Sequence, residues 1–595
     1  MKKISLSLIL VLLITVLNFQ KSNAQTSYKN FNAAVYVRAF ELKQMKDTDW
    51  MKSHFEILEK QIKIGKVYFE VHRDLELADK EAVQNVQKYF KSKNIKVSAG
   101  LALVMSEADN FVTFCYSNEE HKAKILDIIK FAAGQFDEII LDDFFFTNCK
   151  CELCIEKKGD LSWTDYRLDL LKEFSKEIVS TAKKVNPGVN MIIKYPNWYD
   201  HFQFTGYNLE EEPKIFDMIY TGSETRDDQY THQHLPTYQS YSIMRYLENI
   251  KPGKNGGGWV DPYARRTIDR YAEQLAFTLY SKPKEIMLFC SFDLVKYLNK
   301  DDGTEVPVSY SAPIASYTLD RVDNFLGKLG NPVGIKSYKP YHSFGEDFLH
   351  SYLGMIGIPI EMTPDFPAES DMILLTEHAK FDTEIVAKIK KQLTDGKNVI
   401  ITSGLLNALQ DKGIKDIADL ECTTSKVSFT QFSDFYNINY STKPILIPII
   451  KYPTNDAWDV LTAYDQYNGY PLVTEASYGN GKMYVLTIPD NYSDLYNYPK
   501  EALTRIRQFF TKQLPVFIDA PGRVCLFAYD NNTFIVHSLL PNNLVFNAIT
   551  NGKATEIVDL ETGESIKGTF NGKTTSFEVA LTPYLAPGRV FEIRY

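Results

Sequence analysis

Short apolar segments alternate with amphipathic helical patterns between residues 31 and 294. The apolar segments are FNAAVYVRAF (31–40), KVYFEVHR (66–73), KVSAGLALV (96–104), EIILDDFFF (138–146), NMIIKYPNW (190–198), FDMIYTGSE (216–224), GGGWVDP (256–262) and EIMLFCSFDL (285–294). Strands that are buried on both faces of a parallel sheet give such continuous apolar runs. Eight of them separated by helices predict a (β/α)8 TIM barrel in the α/β class, with a doubly wound open sheet as the alternative.

The pattern changes from about Tyr338. The segment SDMILLTEHAKFDTEIVAKIKKQLTDGKNVIITSG (370–404) indicates strand, helix and strand, which is typical of a flavodoxin-like or Rossmann-like βαβ unit. YGNGK (478–482) precedes a strand rather than a helix, so we interpret it as a hairpin turn and not as a phosphate loop. Alternating apolar and polar residues near the C-terminus predict a small antiparallel β-sandwich. The predicted domains are therefore the barrel (25–337), a flavodoxin-like domain (338–516) and the sandwich (517–595).

The N-terminus has the pattern of a cleavable signal peptide over residues 1–24. Lys2 and Lys3 precede an apolar run over residues 4–17, and Ser22 and Ala24 are small residues at the positions that signal peptidase reads. The run is shorter than the roughly 20 residues that span a bilayer. We therefore expect cleavage after Ala24 and a soluble periplasmic or secreted protein.

The charge of the chain argues against a nucleic-acid partner. The net charge is −9, and loss of the lysine-containing signal segment makes it more negative. Binding to a phosphate backbone needs clustered positive charge, which the sequence does not show. A neutral substrate is compatible with this balance.

Four cysteines cluster around the predicted fourth strand. Cys149, Cys151 and Cys154 form a C-x-C-x-x-C motif after it, and Cys115 lies in the loop after the third strand. In a barrel these two loops are neighbours, and four thiolates suit a closed tetrahedral zinc site of structural type. The alternative is a disulfide, either Cys151 with Cys154 or Cys115 with one of the three, which an oxidising compartment favours. We expect a structural zinc ion and no organic cofactor.

Acidic residues stand at the ends of three predicted strands. Barrel active sites lie where strands end, and glycosidic bonds are cut by two carboxyl groups. Asp143 is the first catalytic candidate because it lies nearer the loop than Asp142, and successive strand residues point to opposite sides. The second candidate is either Glu224, at the end of the sixth strand, or Asp261, at the end of the seventh. Glycines before Asp261 would let a substrate approach the backbone, and Trp259 offers a ring for a sugar face.

Further polar and aromatic residues at strand ends are candidates for binding the substrate. Hydroxyl-rich rings need aromatic platforms and charged hydrogen-bonding groups. The candidates are Arg38, His72, Asp142, Lys194, Tyr195, Trp198, Arg226, Trp259 and Asp293.

This combination resembles the glycoside hydrolase family 42 β-galactosidases. The shared features are a catalytic residue at the end of the fourth barrel strand, the C-x-C-x-x-C motif after it, a flavodoxin-like domain and a C-terminal β-sandwich. The family has Asn-Glu at the fourth strand and a Glu nucleophile on the seventh, where this chain has Asp142-Asp143 and Asp261. The resemblance implies hydrolysis of a galactoside-like hexoside and a homotrimer contact through the middle domain.

The two carboxylate pairings resemble different clans of glycosidases. Pairing of the fourth and sixth strands, Asp143 with Glu224, resembles the α-galactosidase clan, whose fourth-strand Asp is the nucleophile. Pairing of the fourth and seventh strands, Asp143 with Asp261, resembles the β-galactosidase clan, whose fourth-strand residue is the acid. Both pairings predict an exported glycoside hydrolase that acts on complex glycans. The competing hypotheses are a non-catalytic carbohydrate-binding protein on a degenerate barrel, and a lyase or deacetylase on the same barrel.

Overall fold

Eight parallel strands form a closed barrel. The computed structural model describes residues 27–228, 231, 233–264, 267–510, 513–583 and 587–595, so the predicted signal peptide (1–24) lies outside the described residues. The strands are β1 (Asn32–Val37), β2 (Ile64–Arg73), β3 (Lys96–Leu101), β4 (Glu138–Leu141), β5 (Asn190–Tyr195), β6 (Met218–Gly222), β7 (Asn255–Val260) and β8 (Glu285–Phe289). Each pairs with its sequence neighbour, and β1 pairs with both β8 and β2. This confirms the predicted barrel and excludes an open sheet.

Amphipathic helices cover the outer face of the barrel. The longer ones are Thr48–Glu59, Lys80–Ser92, Glu119–Ala133, Trp163–Val185, Gln239–Ile250, Ile268–Tyr280 and Ala312–Leu326. Capping side chains fix where several begin, because they accept the free amide protons of the first turn: Asp47 accepts from the amides of Asp49 and Trp50, and Ser162 from that of Asp165. Across the described ranges, we find no helix that combines the length and the apolar character needed to cross a bilayer.

Shorter elements lie between the barrel strands and these helices. They are the helices Ala39–Gln44, Glu152–Lys158, Phe202–Thr205, Glu212–Ile215 and Ser291–Leu294, the 3-10 helix Tyr199–His201, and the strands Glu76–Leu77, Val104–Ser106, Val112–Thr113, Val295–Asn299 and Glu305–Ser309. Most of them follow the carboxyl end of a strand, so they build the loops around the face where barrel enzymes place their active sites.

Large side chains and a charge cluster fill the barrel interior. The interior cluster includes Ala34, Tyr36, Tyr68, Ile140, Ile192, Tyr220, Trp259, Met287 and Phe289. Near the amino-terminal ends of the strands, the Lys66 ammonium lies 2.8 Å from a carboxylate oxygen of Glu138 and 3.0 Å from one of Glu285. The Tyr68 hydroxyl donates to both acids. This end of the barrel is therefore packed, and its charged groups are paired with one another.

The glycines of β7 serve interior packing. A Cβ on Gly257 would come 2.3 Å from the carbonyl oxygen of Glu285 and 2.7 Å from the Tyr220 hydroxyl, and one on Gly258 would meet the Thr278 side chain at 2.3 Å. The expectation that these glycines admit a substrate to the backbone is therefore wrong, because neighbouring protein atoms already fill that space.

The middle domain contains a flavodoxin-like parallel sheet. Its parallel strands are Ile335–Tyr338, Ile360–Thr363, Met372–Leu375, Asn398–Thr402 and Gly481–Leu486, with the helices Leu349–Met355, Ile385–Thr394, Ser403–Ala408 and Lys500–Phe510. The strand order is 2-1-3-4-5, which is the flavodoxin-like order. The first strand pairs only within this sheet, so the sheet begins before the predicted boundary at residue 338.

Four long antiparallel strands extend this sheet beyond its parallel part. They are Glu421–Ser433, Ile438–Lys451, Ala457–Tyr464 and Gly469–Tyr478. The last of them pairs with Gly481–Leu486 through a tight turn in which Gly479 has a φ of +60°. YGNGK is therefore the predicted hairpin turn.

Two antiparallel sheets form the C-terminal sandwich. One contains Val516–Asp519, Leu544–Asn551, Thr569–Phe570 and Thr574–Leu581, and the other contains Val524–Tyr529, Thr533–Ser538, Glu556–Asp559, Ser565–Lys567 and Gly588–Arg594. Phe534, Phe546 and Phe577 pack between the sheets. The short strand Pro332–Val333, which follows the barrel, also pairs with the second sheet, so the sandwich is attached directly to the end of the barrel.

A fully buried guanidinium joins the middle domain to the sandwich. Arg507 lies on the helix Lys500–Phe510 and has no exposed surface. Its nitrogens donate to four backbone carbonyls, those of Ile356, Ile518, Ala520 and Pro521. Because these oxygens are otherwise removed from water, the stability of the contact between the two domains depends on this side chain.

We expect Arg507→Met to lower the free energy of unfolding by at least about 3 kcal/mol, because leaving each buried acceptor unpaired costs roughly 1–3 kcal/mol. Urea denaturation followed by circular dichroism measures the change. Arg505→Met is the matched control on the same helix, since Arg505 is only half-buried and donates to the exposed Gln508. A stability loss as small for Arg507→Met as for the control would contradict this role.

Candidate active site

A cavity of about 240 Å³ opens at the carboxyl ends of the barrel strands. Its lining residues are Arg38, Arg73, Glu107, Phe111, Asp142, Asp143, Phe144, Lys194, Glu224, Arg226, Trp259, Asp261, Tyr263 and Phe289. It therefore brings together the three carboxylates that we selected as catalytic candidates, Asp143, Glu224 and Asp261. Five of the predicted substrate-binding residues line it with them: Arg38, Asp142, Lys194, Arg226 and Trp259.

A buried ammonium group lies between the two adjacent aspartates. Lys194, at the end of β5, is 2% exposed, and its Nζ lies 3.0 Å from Asp143 Oδ2 and 3.4 Å from Asp142 Oδ1. The expectation that strand alternation separates the two carboxylates is wrong, because β4 ends at Leu141 and both aspartates belong to the turn that follows. The Asp143 amide donates to Asp142 Oδ1 at 2.8 Å, which fixes this turn.

The two aspartates hold different charges. Burial raises the pKa of Asp142, and the neighbouring Asp143 carboxylate raises it further. Burial also opposes ionisation of Asp143, but Lys194 and the hydrogen bond to Asp142 hold the pKa of Asp143 below its usual range. Burial lowers the pKa of Lys194, yet the two carboxyl groups outweigh this effect and raise it. Asp143 is therefore the ionised member of the pair at neutral pH.

Glu224 presents a carboxyl oxygen without a hydrogen-bond partner. It follows β6, is 3% exposed, and its Oε2 is buried and unpaired. Burial is the main cause that raises the pKa of Glu224 to about 7, with Lys194 opposing the increase and Asp261 adding to it. A carboxylic acid that is protonated near neutral pH and lines a cavity is suited to donate a proton.

The backbone around Glu224 is held by two amides. The Asn197 side chain donates to the Glu224 carbonyl at 2.7 Å. Gln274 Oε1 accepts from the backbone amides of Thr225 and Arg226, each at 2.7 Å. Arg226 has a φ of +58°, a left-handed conformation that is uncommon outside glycine, and the Gln274 contacts stabilise it.

Asp261 is paired with an arginine. Its two carboxylate oxygens accept from Arg226 Nη2 at 2.9 Å and from Arg226 Nε at 3.3 Å, and the Tyr263 amide adds a third donor at 3.0 Å. Both oxygens are therefore engaged, unlike Oε2 of Glu224. The geometry favours Glu224 over Asp261 as the partner of Asp143.

Trp259 forms part of the cavity floor. It is 2% exposed and packs against Tyr36 and Phe289, with ring centroids 4.6 and 5.2 Å away. Lys194 Nζ lies 4.0 Å from the centre of the indole ring. The ring face thus supports the ammonium group by a cation–π contact, and protein atoms already occupy the face that we expected to receive a sugar.

Four predicted substrate-binding residues lie outside the cavity lining. His72 Nδ1 contacts the Ala102 carbonyl at 2.8 Å, and the Tyr195 hydroxyl donates to Glu212 at 3.3 Å. Trp198 stacks on His201, and Asp293 accepts from the Cys290 thiol. These contacts give the four side chains structural roles in the loops and in the outer layer of the barrel.

Sequence reasoning missed Arg73, which lines the cavity beside the predicted His72. The pairing of β2 with β3 changes register between Glu70 and His72, which marks a β-bulge. The bulge reverses the alternation, so Glu70 and Arg73 meet at 2.8 Å whereas His72 faces outward. The residues around the bulge do not predict it. The opposite charges of Glu70 and Arg73 were the available sign that these two side chains lie on the same face of the strand.

The four thiols of the third and fourth loops converge. The Sγ atoms of Cys115, Cys149, Cys151 and Cys154 all lie within 4.8 Å of one another, and Cys115 Sγ is 3.5 Å from that of Cys154 and 3.8 Å from that of Cys151. A disulfide requires about 2.05 Å, whereas tetrahedral coordination with Zn–S bonds of about 2.3 Å separates the sulfurs by about 3.8 Å. The donor set and its spacing fit a metal ion.

Three family profiles match the chain in sequence. "Probable glycosyl hydrolase, catalytic domain" matches residues 20–326, "Uncharacterized protein SSO3021, second domain" matches 330–491, and "Probable glycosyl hydrolase, C-terminal domain" matches 515–585. The uncharacterized protein SSO3021 of Saccharolobus solfataricus is 25% identical over 514 residues, which cover 77% of this chain and 82% of that protein.

Solved β-galactosidases share the fold at low sequence identity. The enzyme from Bacillus circulans sp. alkalophilus has a TM-score of 0.61 at 11% identity. Gan42B, a GH42 β-galactosidase from G. stearothermophilus, has a TM-score of 0.63 at 12% identity. Each comparison covers 96% of this chain and 99% of the other. The resemblance to family 42 architecture is therefore confirmed at the level of the fold. Since the catalytic-domain profile spans more than half of the sequence, the chain belongs to the family of probable glycosyl hydrolases.

Proposed function

We propose that the protein is an exported glycoside hydrolase that removes a terminal hexose, of galactoside type, from complex glycans. Its membership of a glycosyl hydrolase family supports the reaction class. The cavity supports the exo mode of action, because it is small, about 240 Å³, and is confined to the carboxyl ends of the barrel strands. The signal pattern at residues 1–24 supports export, and the family 42 resemblance supports a homotrimer.

We assign the nucleophile to Asp143 and the general acid to Glu224. Asp143 forms a bond to the anomeric carbon as the bond from that carbon to the leaving oxygen breaks, and Glu224 gives its proton to that oxygen. A water molecule then gives a proton to Glu224 and displaces Asp143 from the sugar, which restores both groups. Lys194 keeps Asp143 ionised and orients it. Arg226 and Asp261 form a fixed pair beside the reacting groups.

The observation that carries this assignment is the different surroundings of two carboxyl groups that line one cavity: Asp143 lies 3.0 Å from the Lys194 ammonium, whereas Glu224 Oε2 is buried without a partner. Asp143 is held ionised by a buried ammonium, whereas Glu224 is buried, carries an unpaired oxygen and has a pKa near 7. Environments that separate the pKa values of two carboxyl groups in this way assign one as base or nucleophile and the other as acid.

We propose a structural zinc ion at the thiol cluster. Cys115, Cys149, Cys151 and Cys154 would hold it, and four thiolate ligands leave no position for water, so the ion stabilises the loops that follow β3 and β4 rather than taking part in hydrolysis.

Asp143→Asn should abolish hydrolysis of a panel of p-nitrophenyl α- and β-glycosides. Glu224→Gln should slow glycosides with poor leaving groups by about 10²- to 10⁴-fold, the usual contribution of a general acid, and should slow 2,4-dinitrophenyl glycosides much less, since that leaving group departs without a proton. Steady-state kinetics on each variant measure this difference.

Asp200→Asn is the control, because Asp200 pairs with His201 on the loop after β5 and does not line the cavity, and it should keep wild-type kinetics. Asp261→Asn should retain the wild-type dependence on the leaving group. If the Asp261 variant shows the selective loss instead, the fourth and seventh strands supply the pair and our assignment is wrong.

The pH dependence of kcat/KM should be bell-shaped with its alkaline limb near pH 7. Glu224 must be protonated to act as the acid, so activity falls as rising pH removes its proton, and the acid limb follows protonation of Asp143. In Glu224→Gln the alkaline limb should disappear for 2,4-dinitrophenyl glycosides. An alkaline limb that stays unchanged in this variant would assign the titration to another group.

The purified protein should contain one zinc ion per chain by plasma mass spectrometry. Cys151→Ser and Cys154→Ser should lose the metal and lower the melting temperature, because metal binding contributes to folding. Cys422→Ser in the middle domain is the matched control and should keep the ion. A metal-free wild-type protein whose four thiols all react with a thiol reagent would contradict the zinc assignment, as would two disulfides in intact-mass analysis.

A further inference from the structure

Two phenylalanines stand beside the mouth of the cavity on the loops after β1 and β8. Phe40 lies on the helix Ala39–Gln44 and Phe292 on the helix Ser291–Leu294. Their rings meet edge to face with centroids 5.3 Å apart, and the residues are 41% and 44% exposed. Two large apolar side chains therefore face solvent together, on loops that barrel enzymes use for substrate.

A second phenylalanine pair stands on the loops after β3 and β4. Phe111 is 47% exposed, and its ring stacks on that of Phe144 with centroids 5.6 Å apart. Both residues line the cavity. Asn110 and Phe111 have φ values of +59° and +58°, and the strand pair Val104–Ser106 and Val112–Thr113 holds this left-handed turn. The turn presents Phe111 at the cavity edge instead of burying it.

A charged bridge connects the two pairs. Glu107 Oε2 accepts from Arg38 Nη2 and from Arg73 Nη1, each at 2.8 Å. The Arg38 guanidinium carbon lies 5.5 Å from the centre of the Phe40 ring, and that of Arg73 lies 5.1 Å from the centre of the Phe144 ring. The pairs therefore stand on either side of one bridge at the cavity wall. We call Phe40, Phe111, Phe144 and Phe292 the phenylalanine rim.

The position of the rim identifies the part of a substrate that would contact it. When one sugar ring occupies the cavity, its leaving group must extend through the mouth and across the rim. Phenylalanine offers no hydrogen-bonding group, and the exposed Val112, on the loop after β3, and Leu75, on the loop after β2, add apolar surface. A second sugar would need polar partners there for its hydroxyl groups, and the charged groups between the two pairs, Arg38, Arg73 and Glu107, are already bound to one another. An apolar group needs only surface removed from water.

We propose that the phenylalanine rim binds an apolar aglycone, of aryl or alkyl type, and so makes glycosides with an apolar leaving group the preferred substrates. This proposal rests on the proposed glycosidase activity. It assigns contact with the aglycone beyond the glycosidic oxygen to Phe40, Phe111, Phe144 and Phe292, whereas Asp143 acts on the anomeric carbon and Glu224 on that oxygen.

Methyl and octyl glycosides of the sugar and anomer that the p-nitrophenyl panel identifies test the proposal, at octyl concentrations below micelle formation. The two alcohols are similar leaving groups, so the ratio of their kcat/KM values reports binding of the alkyl chain. We expect the wild-type enzyme to prefer the octyl glycoside by at least about tenfold, because several methylene groups leave water on the rim. In the double variant Phe40→Ser with Phe292→Ser this ratio should fall towards one.

Phe570→Ser is the matched control, since Phe570 is 41% exposed, as Phe40 is, and lies on the C-terminal sandwich strand Thr569–Phe570, so it should keep the wild-type ratio. An octyl-to-methyl ratio near one in the wild type would overturn the rim proposal and leave the glycosidase assignment intact. Preference for a disaccharide of the same sugar over the octyl glycoside would likewise overturn it in favour of a sugar on the rim.

Two further results would also overturn the proposal that the phenylalanine rim binds an apolar aglycone. The rim would be a self-association surface if the double variant converted an oligomer to a monomer in light scattering while the octyl preference persisted. Failure to hydrolyse any glycoside of the panel would overturn the glycosidase function itself, and the aglycone site with it.

Discussion

The ammonium group of Lys194 is the constraint on which the rest of the site depends. It is removed from water and therefore needs compensating charge, which Asp142, Asp143 and the face of Trp259 supply. The same contacts fix the orientation of Asp143 and keep it ionised. Because the positive charge lies closest to Asp143, the more distant Glu224 receives too little stabilisation to overcome its burial, and the two carboxyl groups acquire different protonation states.

The barrel interior makes this arrangement possible. Lys194 rests on Trp259, which packs on Tyr36 and Phe289, and the glycines of β7 leave room below for the Tyr220 ring. The Lys66, Glu138 and Glu285 cluster then closes the opposite end. Each layer of side chains fixes the position of the next layer along the barrel axis, because packed interiors have little free volume. The position of Lys194, and of the carboxyl groups paired with it, therefore depends on core packing as much as on the loops.

The loops after β3 and β4 combine two tasks that the sequence places within one stretch. The thiol cluster ties Cys115 of one loop to the three cysteines of the other. Asp143 lies at the start of the second loop, and the Tyr207 hydroxyl holds its carbonyl at 2.9 Å. Phe111 and Phe144 extend from the same two loops towards solvent. The part of these loops near the cysteines therefore supports both Asp143 and the exposed apolar surface beside it.

The sequence by itself determined the barrel, the flavodoxin-like unit, the sandwich and the meeting of the four cysteines. The alternation of apolar segments with amphipathic helical patterns can be recognised from residues that are close in sequence. Parallel strands then bring their carboxyl ends to one face of the barrel. Only the tertiary structure decided which strand-end residues share the cavity. Because of the bulge in β2, Arg73 rather than His72 lines the cavity. Because β4 ends at Leu141, both aspartates that follow it contact Lys194. Arg226 pairs with both carboxylate oxygens of Asp261, whereas Oε2 of Glu224 has no hydrogen-bond partner. These outcomes depend on register and on contacts between distant strands, and the local pattern of residues does not encode them.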